Sequence, residues 1–249
     1  ASLAYNTTGG DNTASGYDSL GDNTTGSFNS GFGYEALARN TAASNNTAVG
    51  YRSLKFNTTG GSNVAVGTNA LAANTTGAQN TAIGDYALNA NTTASFNTAL
   101  GQGAMLVSTT GAYNVAVGTN AMVAITTASE NVAIGQRALY VNNGANNVSV
   151  GSSSMLDNTT GANNVAVGKH ALYNNTTADN NTAVGDQALQ GNTTGTANVA
   201  VGMTALFQNT TASNNIGIGQ QAGYSNTTGT RNIAIGTNAY DDSDTENDN

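Results

Sequence analysis

Short apolar runs such as Val64-Ala65-Val66 and Val115-Ala116-Val117 recur along the chain, each preceded by Asn and closed by Gly. Copies start at Asn12, Asn29, Asn46, Asn63, Asn80, Asn97, Asn114, Asn131, Asn147, Asn164, Asn181, Asn198, Asn215 and Asn232. The period is 17 residues. The last copy is incomplete, and only the step from Asn131 to Asn147 falls short, by a single position. With the leading Asn as position 1, Thr or Val follows, then Ala, then Val or Ile, and Gly at position 5. Two variable residues lead to an Ala-Leu pair at positions 8 and 9. Two more variable residues lead to Asn-Thr-Thr-Gly/Ala at 12 to 15, and a variable pair ends the unit. A fixed period of this kind marks one structural unit stacked on its neighbours.

The pattern predicts what that unit is. Ala, Val, Ile and Thr before the Gly predict a strand of about four or five residues. A second short strand is expected at positions 7 to 10 around the Ala-Leu pair. Asn-Thr-Thr-Gly reads as a turn, because Asn and Gly tolerate positive φ. Two strands and two turns in a unit of about 17 residues make one coil of an all-β parallel β-solenoid; helical repeats need about twice this length. Fourteen coils stacked at a sheet spacing of about 4.8 Å would give a rod of about 65 Å. Residues 1–11 read as a partial first coil, 12–240 as one β-solenoid repeat domain and 241–249 as an acidic tail. The half-coils at the two ends complement each other, which suggests end-to-end stacking or a longer parent rod.

Charge placement agrees with stacking. Only 8% of the 249 residues are charged. Before the tail, every charge falls at position 6, 7, 10, 11, 16 or 17, among them Asp85, Glu35, Arg52, Arg137, Lys55, Arg39 and Asp179. Positions 1 to 5, 8, 9 and 12 to 15 carry none. Desolvating a charge is costly, so the charge-free positions are expected to be buried or tightly stacked. Side chains alternate across a strand, so position 4 faces away from the Ala at position 3. In one arrangement the Leu and Ala ladders fill the coil. The Val/Ile ladder (Val49, Val66, Ile83, Val117, Ile134, Val150, Val167, Val184, Val201, Ile218 and Ile235) then faces outward and needs another copy of the chain as partner. In the other arrangement Val/Ile and Leu fill the interior, and the Ala face is exposed.

Runs such as Asn63-Val64-Ala65-Val66-Gly67-Thr68-Asn69-Ala70-Leu71 resemble the head repeats of trimeric autotransporter adhesins and related surface and tail-fibre repeats. The resemblance extends over essentially Asn12 to Tyr240. It implies a left-handed parallel β-roll, three chains about one axis and an extracellular or cell-surface setting. The unit here is longer than the usual adhesin head repeat, Asn-Thr-Thr-Gly being the enlargement, and no stalk heptads or membrane anchor are visible.

Composition narrows the chemistry. Outside the tail, nine acids face six bases, with no basic stripe for phosphates, so nucleic acid is not an expected partner. The absence of Cys removes disulfides and thiolate metal sites. No apolar run approaches a membrane span, so membrane insertion by this segment is not expected. The chain starts at Ala1 without a visible signal peptide and reads as a processed piece of something larger. One His and no paired carboxylates in the coils argue against an enzyme, and no cofactor is expected.

Three weaker candidates remain. Asp242, Asp244, Glu246 and Asp248 alternate like the first ligands of a calcium loop but lack its turn Gly and closing Glu. Asn6, Asn23, Asn57, Asn74, Asn91, Asn158, Asn175, Asn192, Asn209 and Asn226 match the glycosylation sequon, although turn composition alone produces that match. Rows of Thr suggest ice binding, but adjacent Thr such as Thr75-Thr76 would face opposite ways if extended. The expected function is a non-enzymatic extracellular fibre or adhesin segment, a stiff rod presenting a repetitive surface. A self-assembling filament subunit and an ice- or glycan-binding solenoid are the alternatives. A receptor or glycan would meet the variable positions 6, 7, 10 and 11, where Tyr17, Tyr34, Tyr51, Tyr86, Arg52 and Arg137 fall.

Overall fold

β-Branched residues at positions 2 and 4 favour extended backbone, and the Gly that follows stops it from running on. A computed structural model of the chain describes residues 1–240. It divides into two compact units, Ala1–Thr127 and Ala128–Asn249, the second described as far as Tyr240. In the first, strands β1 to β7 are Thr13–Ser15, Ser30–Phe32, Thr47–Val49, Val64–Val66, Thr81–Ile83, Thr98–Leu100 and Val115–Val117. Each pairs in parallel with the next along the chain. In the second, β8 to β14 are Val132–Ile134, Val148–Val150, Val165–Val167, Thr182–Val184, Val199–Val201, Ile216–Ile218 and Ile233–Ile235, paired the same way. No helix occurs among the described residues, and the fold is an all-β parallel β-solenoid.

Register follows the repeat. Ala65 pairs with Ala48 on one side and Ala82 on the other, so like sits on like. The shortened coil keeps this match, with Val132 opposite Val148, because its missing residue comes out of the corner. There the Asn142 side chain closes a tighter turn, donating to the Gly144 carbonyl at 2.7 Å and accepting from the Gly144 N–H at 3.0 Å.

The Ala and Leu ladders are the interior. Ala65, Ala82, Leu71 and Leu88 are fully buried, whereas Ile83 on the opposite face of its strand is 42% exposed. The first of the two expected arrangements is the one adopted. The strands are shorter than expected, and the expected second strand at positions 7 to 10 is absent. Positions 7 and 9 instead take left-handed backbone, as at Asn69 (φ 54°) and Leu71 (φ 52°), which turns the chain sharply and drives Leu into the coil. Left-handed φ costs an L-residue about 1–2 kcal/mol, and burying a Leu returns about 1.5–3 kcal/mol, so burial wins at position 9. Coil-to-coil bonds continue through this turn: the Leu71 N–H donates to the Ala87 carbonyl at 2.9 Å.

Gly at position 5 is required twice over. Gly67 has φ 132°, and a Cβ there would lie 2.5 Å from the carbonyl oxygen of Gly84 in the next coil. Neither the backbone angle nor the coil spacing leaves room for a side chain.

Two buried Asn ladders complete the wall. At position 1, the Asn80 N–H donates to Asn63 Oδ1 at 2.9 Å, and Asn63 Nδ2 donates to the Gly77 carbonyl at 2.9 Å. At position 12, Asn74 Nδ2 donates to both Asn57 Oδ1 and the Gly77 carbonyl, each at 2.9 Å. The position 12 ladder breaks where Ser108 and then Ile125 replace Asn, and Asn91 Oδ1, one coil before Ser108, is left buried without a partner. A matched bond contributes about 1 kcal/mol net, but an orphaned buried group costs about 1–3 kcal/mol. Matching each Asn to its neighbours therefore matters more than any one bond.

Two substitutions test this ranking in equilibrium urea unfolding. Leu71→Ala is expected to cost about 2–5 kcal/mol through lost burial and a cavity. Asn74→Ala is expected to cost about 2–4 kcal/mol, because it strips Asn57 of a donor and Asn91 of an acceptor. A change under about 0.5 kcal/mol for Asn74→Ala would show that the amide ladder contributes little.

Candidate binding surfaces

The Val/Ile ladder lies on the outer face of the strands in each unit. Val49, Ile83, Ile134, Val167, Val184, Val201, Ile218 and Ile235 are exposed, and Val66, Val117 and Val150 are half-buried. Position 2 shares that face and is mostly half-buried, alternating among Thr, Val, Ile and Ser. The result is an apolar strip with no charge on its strands, repeated from coil to coil.

The Asn-Thr-Thr corner has no free amide to modify. Asn23, Asn57, Asn74, Asn91, Asn158, Asn175, Asn192, Asn209 and Asn226 are fully buried, and their Nδ2 atoms donate to carbonyls inside the turn. A sugar on that nitrogen would have to displace these bonds. Asn6 is exposed, yet its Nδ2 also donates to the Gly9 carbonyl at 2.8 Å. The first Thr of each corner is committed as well; Thr75 Oγ1 donates to the Thr92 carbonyl at 3.0 Å. The second Thr forms a single exposed file (Thr59, Thr76, Thr93), with no Thr rank beside it at alternate positions. The calcium candidates Asp242, Asp244, Glu246 and Asp248 lie outside the described residues. Among the described residues no helix is long and apolar enough to cross a membrane, and no three metal-ligating side chains gather.

Chemical variety concentrates at positions 6, 7, 10 and 11, and the stacking brings residues one period apart in the chain into contact. Tyr17, Tyr34 and Tyr51 stack face to face with ring centroids 5.1 and 5.4 Å apart. Phe207 stacks on Tyr224 at position 10, and at position 17 Phe96 stacks on Tyr113. Arg39 bonds Asp22 one coil back at 2.8 Å. Arg52 Nε and Lys55 Nζ both donate to Glu35 Oε2 at 2.7 Å. The Arg52 guanidinium also lies 4.9 Å over the Tyr51 ring and caps the tyrosine stack. In the second unit, Arg137 lies over Tyr140 at 5.0 Å. Reading the charges by position places them outward but does not pair them. The pairing is recoverable from the sequence all the same, since Asp22/Arg39 and Glu35/Arg52 are each one period apart.

Beside this cluster lies a cleft of about 310 Å³ in the first unit. Its floor is Ala72 and Ala73, and around them stand Arg52, Lys55, Phe56, Asn69, Tyr86 and Asn89. The bonds from Lys55 and then Arg52 hold the Glu35 carboxyl below its ordinary range despite partial desolvation. A lowered folded-state value means that this carboxylate stabilises the fold above the ordinary carboxylate range and loses that contribution as pH falls through it. Glu35→Gln should therefore lower stability at pH 7 and flatten the loss seen below about pH 4, measured by urea titration across pH. An unchanged acid limb would mean that the ion pairs are energetically idle, as exposed pairs often are.

No protein-family model, curated protein or solved structure matches the chain, so its function is read from its own geometry.

Proposed function

We propose that the chain is a non-enzymatic segment of an extracellular fibre or adhesin, built on the plan of trimeric autotransporter heads and assembled from identical copies through the Val/Ile ladder. The observation that carries this reading is the exposed apolar strip. Monomeric proteins rarely leave a long contiguous apolar face in water. Here Val or Ile recurs outward at nearly every coil of both units, on strands that carry no charge. A like face on a second and third copy covers it with no desolvated charge to compensate, and identical repeats place identical side chains opposite one another. The variable positions then remain on the outside, where Tyr and Arg supply the side chains that dominate recognition surfaces.

A structural and presenting role also fits the side chains at the cleft. They are two cations, one partner carboxylate, aromatics and amides, without the convergent acid, base and nucleophile that catalysis needs. The buried amide ladders favour stiffness over motion, which suits a spacer.

Light scattering on the purified chain tests the reading. A particle of three chain masses supports the trimeric plan, and particles that grow with concentration support an open filament. A monomer at high concentration overturns self-association. The double substitution Val49→Glu with Ile83→Glu should reduce the particle to a monomer with its circular dichroism unchanged, because both side chains point outward and neither packs in the coil.

A further inference from the structure

At the cleft over Ala72 and Ala73 the repeat departs from a uniform surface in a way that shapes a site. Its dimensions come from side-chain size at matched positions. Positions 10 and 11 carry Lys55 and Phe56 in one coil, Ala72 and Ala73 in the next, and Asn89 and Ala90 in the one after. Ala72 between Lys55 and Asn89 leaves a notch one coil wide at position 10, bounded by Phe56 on one side at position 11 and open towards Ala90 on the other. The flanking coils are two strand spacings apart, about 9.5 Å, which admits a single six-membered ring.

The chemistry around the notch is directional. Glu35 spends one oxygen on both Arg52 and Lys55, so one carboxylate faces two cations and a positive charge is left over. Arg52 uses only Nε in that pair; its two terminal nitrogens have no acceptor among the described residues, and its side chain is 40% exposed. Lys55 is packed against Phe56, 5.0 Å over the ring, and is only 14% exposed. The open guanidinium edge is therefore the ligand-facing charge. The Asn69 amide and the Tyr86 hydroxyl, also on the lining, make no side-chain hydrogen bond to the described residues. Asn89 Nδ2 donates to the Asn69 carbonyl at 2.9 Å, which fixes the amide and leaves its oxygen as an acceptor. The stacked tyrosines do not line the notch, and the rings of Tyr34 and Tyr51 are engaged by one another, by Tyr17 and by Arg52. Phe56 and Tyr86 belong to no aromatic stack and remain exposed, Phe56 with Lys55 over its ring.

We propose that this cleft binds one carboxylated sugar residue of an acidic glycan, a uronate-type ring. The carboxylate would meet the Arg52 fork, the hydroxyls the Asn69 and Asn89 amides, and the apolar ring face Tyr86 or Phe56. An Arg fork suits a planar carboxylate, and amides beside an aromatic ring suit a polyhydroxylated ring with one apolar side. The proposal rests on the reading of the chain as a presenting surface and deepens it by naming what one part of that surface takes.

Calorimetric titration of the full 249-residue chain with trigalacturonate, and in parallel with neutral galactotriose and with acetate, tests it. Trigalacturonate should bind with Kd of about 1 mM or tighter and weaken with added salt, and both other probes should bind at least about tenfold more weakly. Arg52→Ala should cost about tenfold or more. Ala73→Phe should abolish binding by filling the notch while keeping every charge, and the coil accepts it because Phe56 occupies the same position one coil earlier. Arg137→Ala, a cation in the other unit, should bind as the parent does. Equal binding of the neutral or the acetate probe, no binding of trigalacturonate, or an unaffected Ala73→Phe variant overturns the assignment. Light scattering on the same samples reads self-association separately, so loss of the glycan assignment and loss of the fibre reading are distinguishable.

Discussion

Every coil must present to the next the same hydrogen-bonding groups at the same heights, and the rest of the structure answers to that one constraint. The backbone bonds and the side-chain amides run between coils, and two Asn ladders are buried where water cannot substitute. An unmatched group there costs more than a matched one contributes, so departures are penalised twice, once on each side. The unpartnered Asn91 Oδ1 beside Ser108 shows what a single departure leaves behind. The shortened coil shows how one is tolerated, since Asn142 and Gly144 pull a residue out of the corner and leave the strand register untouched.

The same constraint explains the residues that look least suited to their backbone. Leu at left-handed φ would be unfavourable in an exposed loop, but here the conformation is what turns the side chain into the only space the thin coil offers. Gly at position 5 is held by its neighbour's carbonyl as much as by its own φ. A coil this narrow has one interior layer, filled by Leu and two ranks of Ala. With that layer occupied, the Val and Ile on the opposite face of the strands become surface. An apolar strip on the strands thus follows from the size of the coil, and it gives the proposed association its physical motive.

Ligand recognition, on this view, falls to positions the stacking does not need, while association uses the outer face of the strands. Positions 6, 7, 10 and 11 are free to vary, and their variation is patterned. Matching residues one coil apart build columns such as the tyrosine stack and the Glu35 cluster, and a drop in size at Ala72 and Ala73 opens a notch beside one of them. A repetitive scaffold can acquire a local site in this way by substitution alone, without a loop or an insertion.

The period, the parallel solenoid, the burial of positions 1, 3, 8, 9, 12 and 15 and the outward place of the charges were legible in the residues, because stacking at a fixed spacing imposes the same demand on every copy; the charge-free positions 4 and 14 are mostly exposed instead, since neither faces the coil interior. The sequon match at Asn57 or Asn74 was legible too, but the motif does not record that the amide nitrogen is buried and bonded both within its turn and to the neighbouring coil. Which ladder lies inside, Val/Ile or Ala, also waited for tertiary structure, since alternation along a strand separates two faces without saying which one the chain folds over. So did the left-handed turns at Asn69 and Leu71, where a strand looked equally natural, and the cleft at Ala72. Each depends on how far a side chain reaches towards its neighbours in adjacent coils, a distance that exists only once the coils are closed.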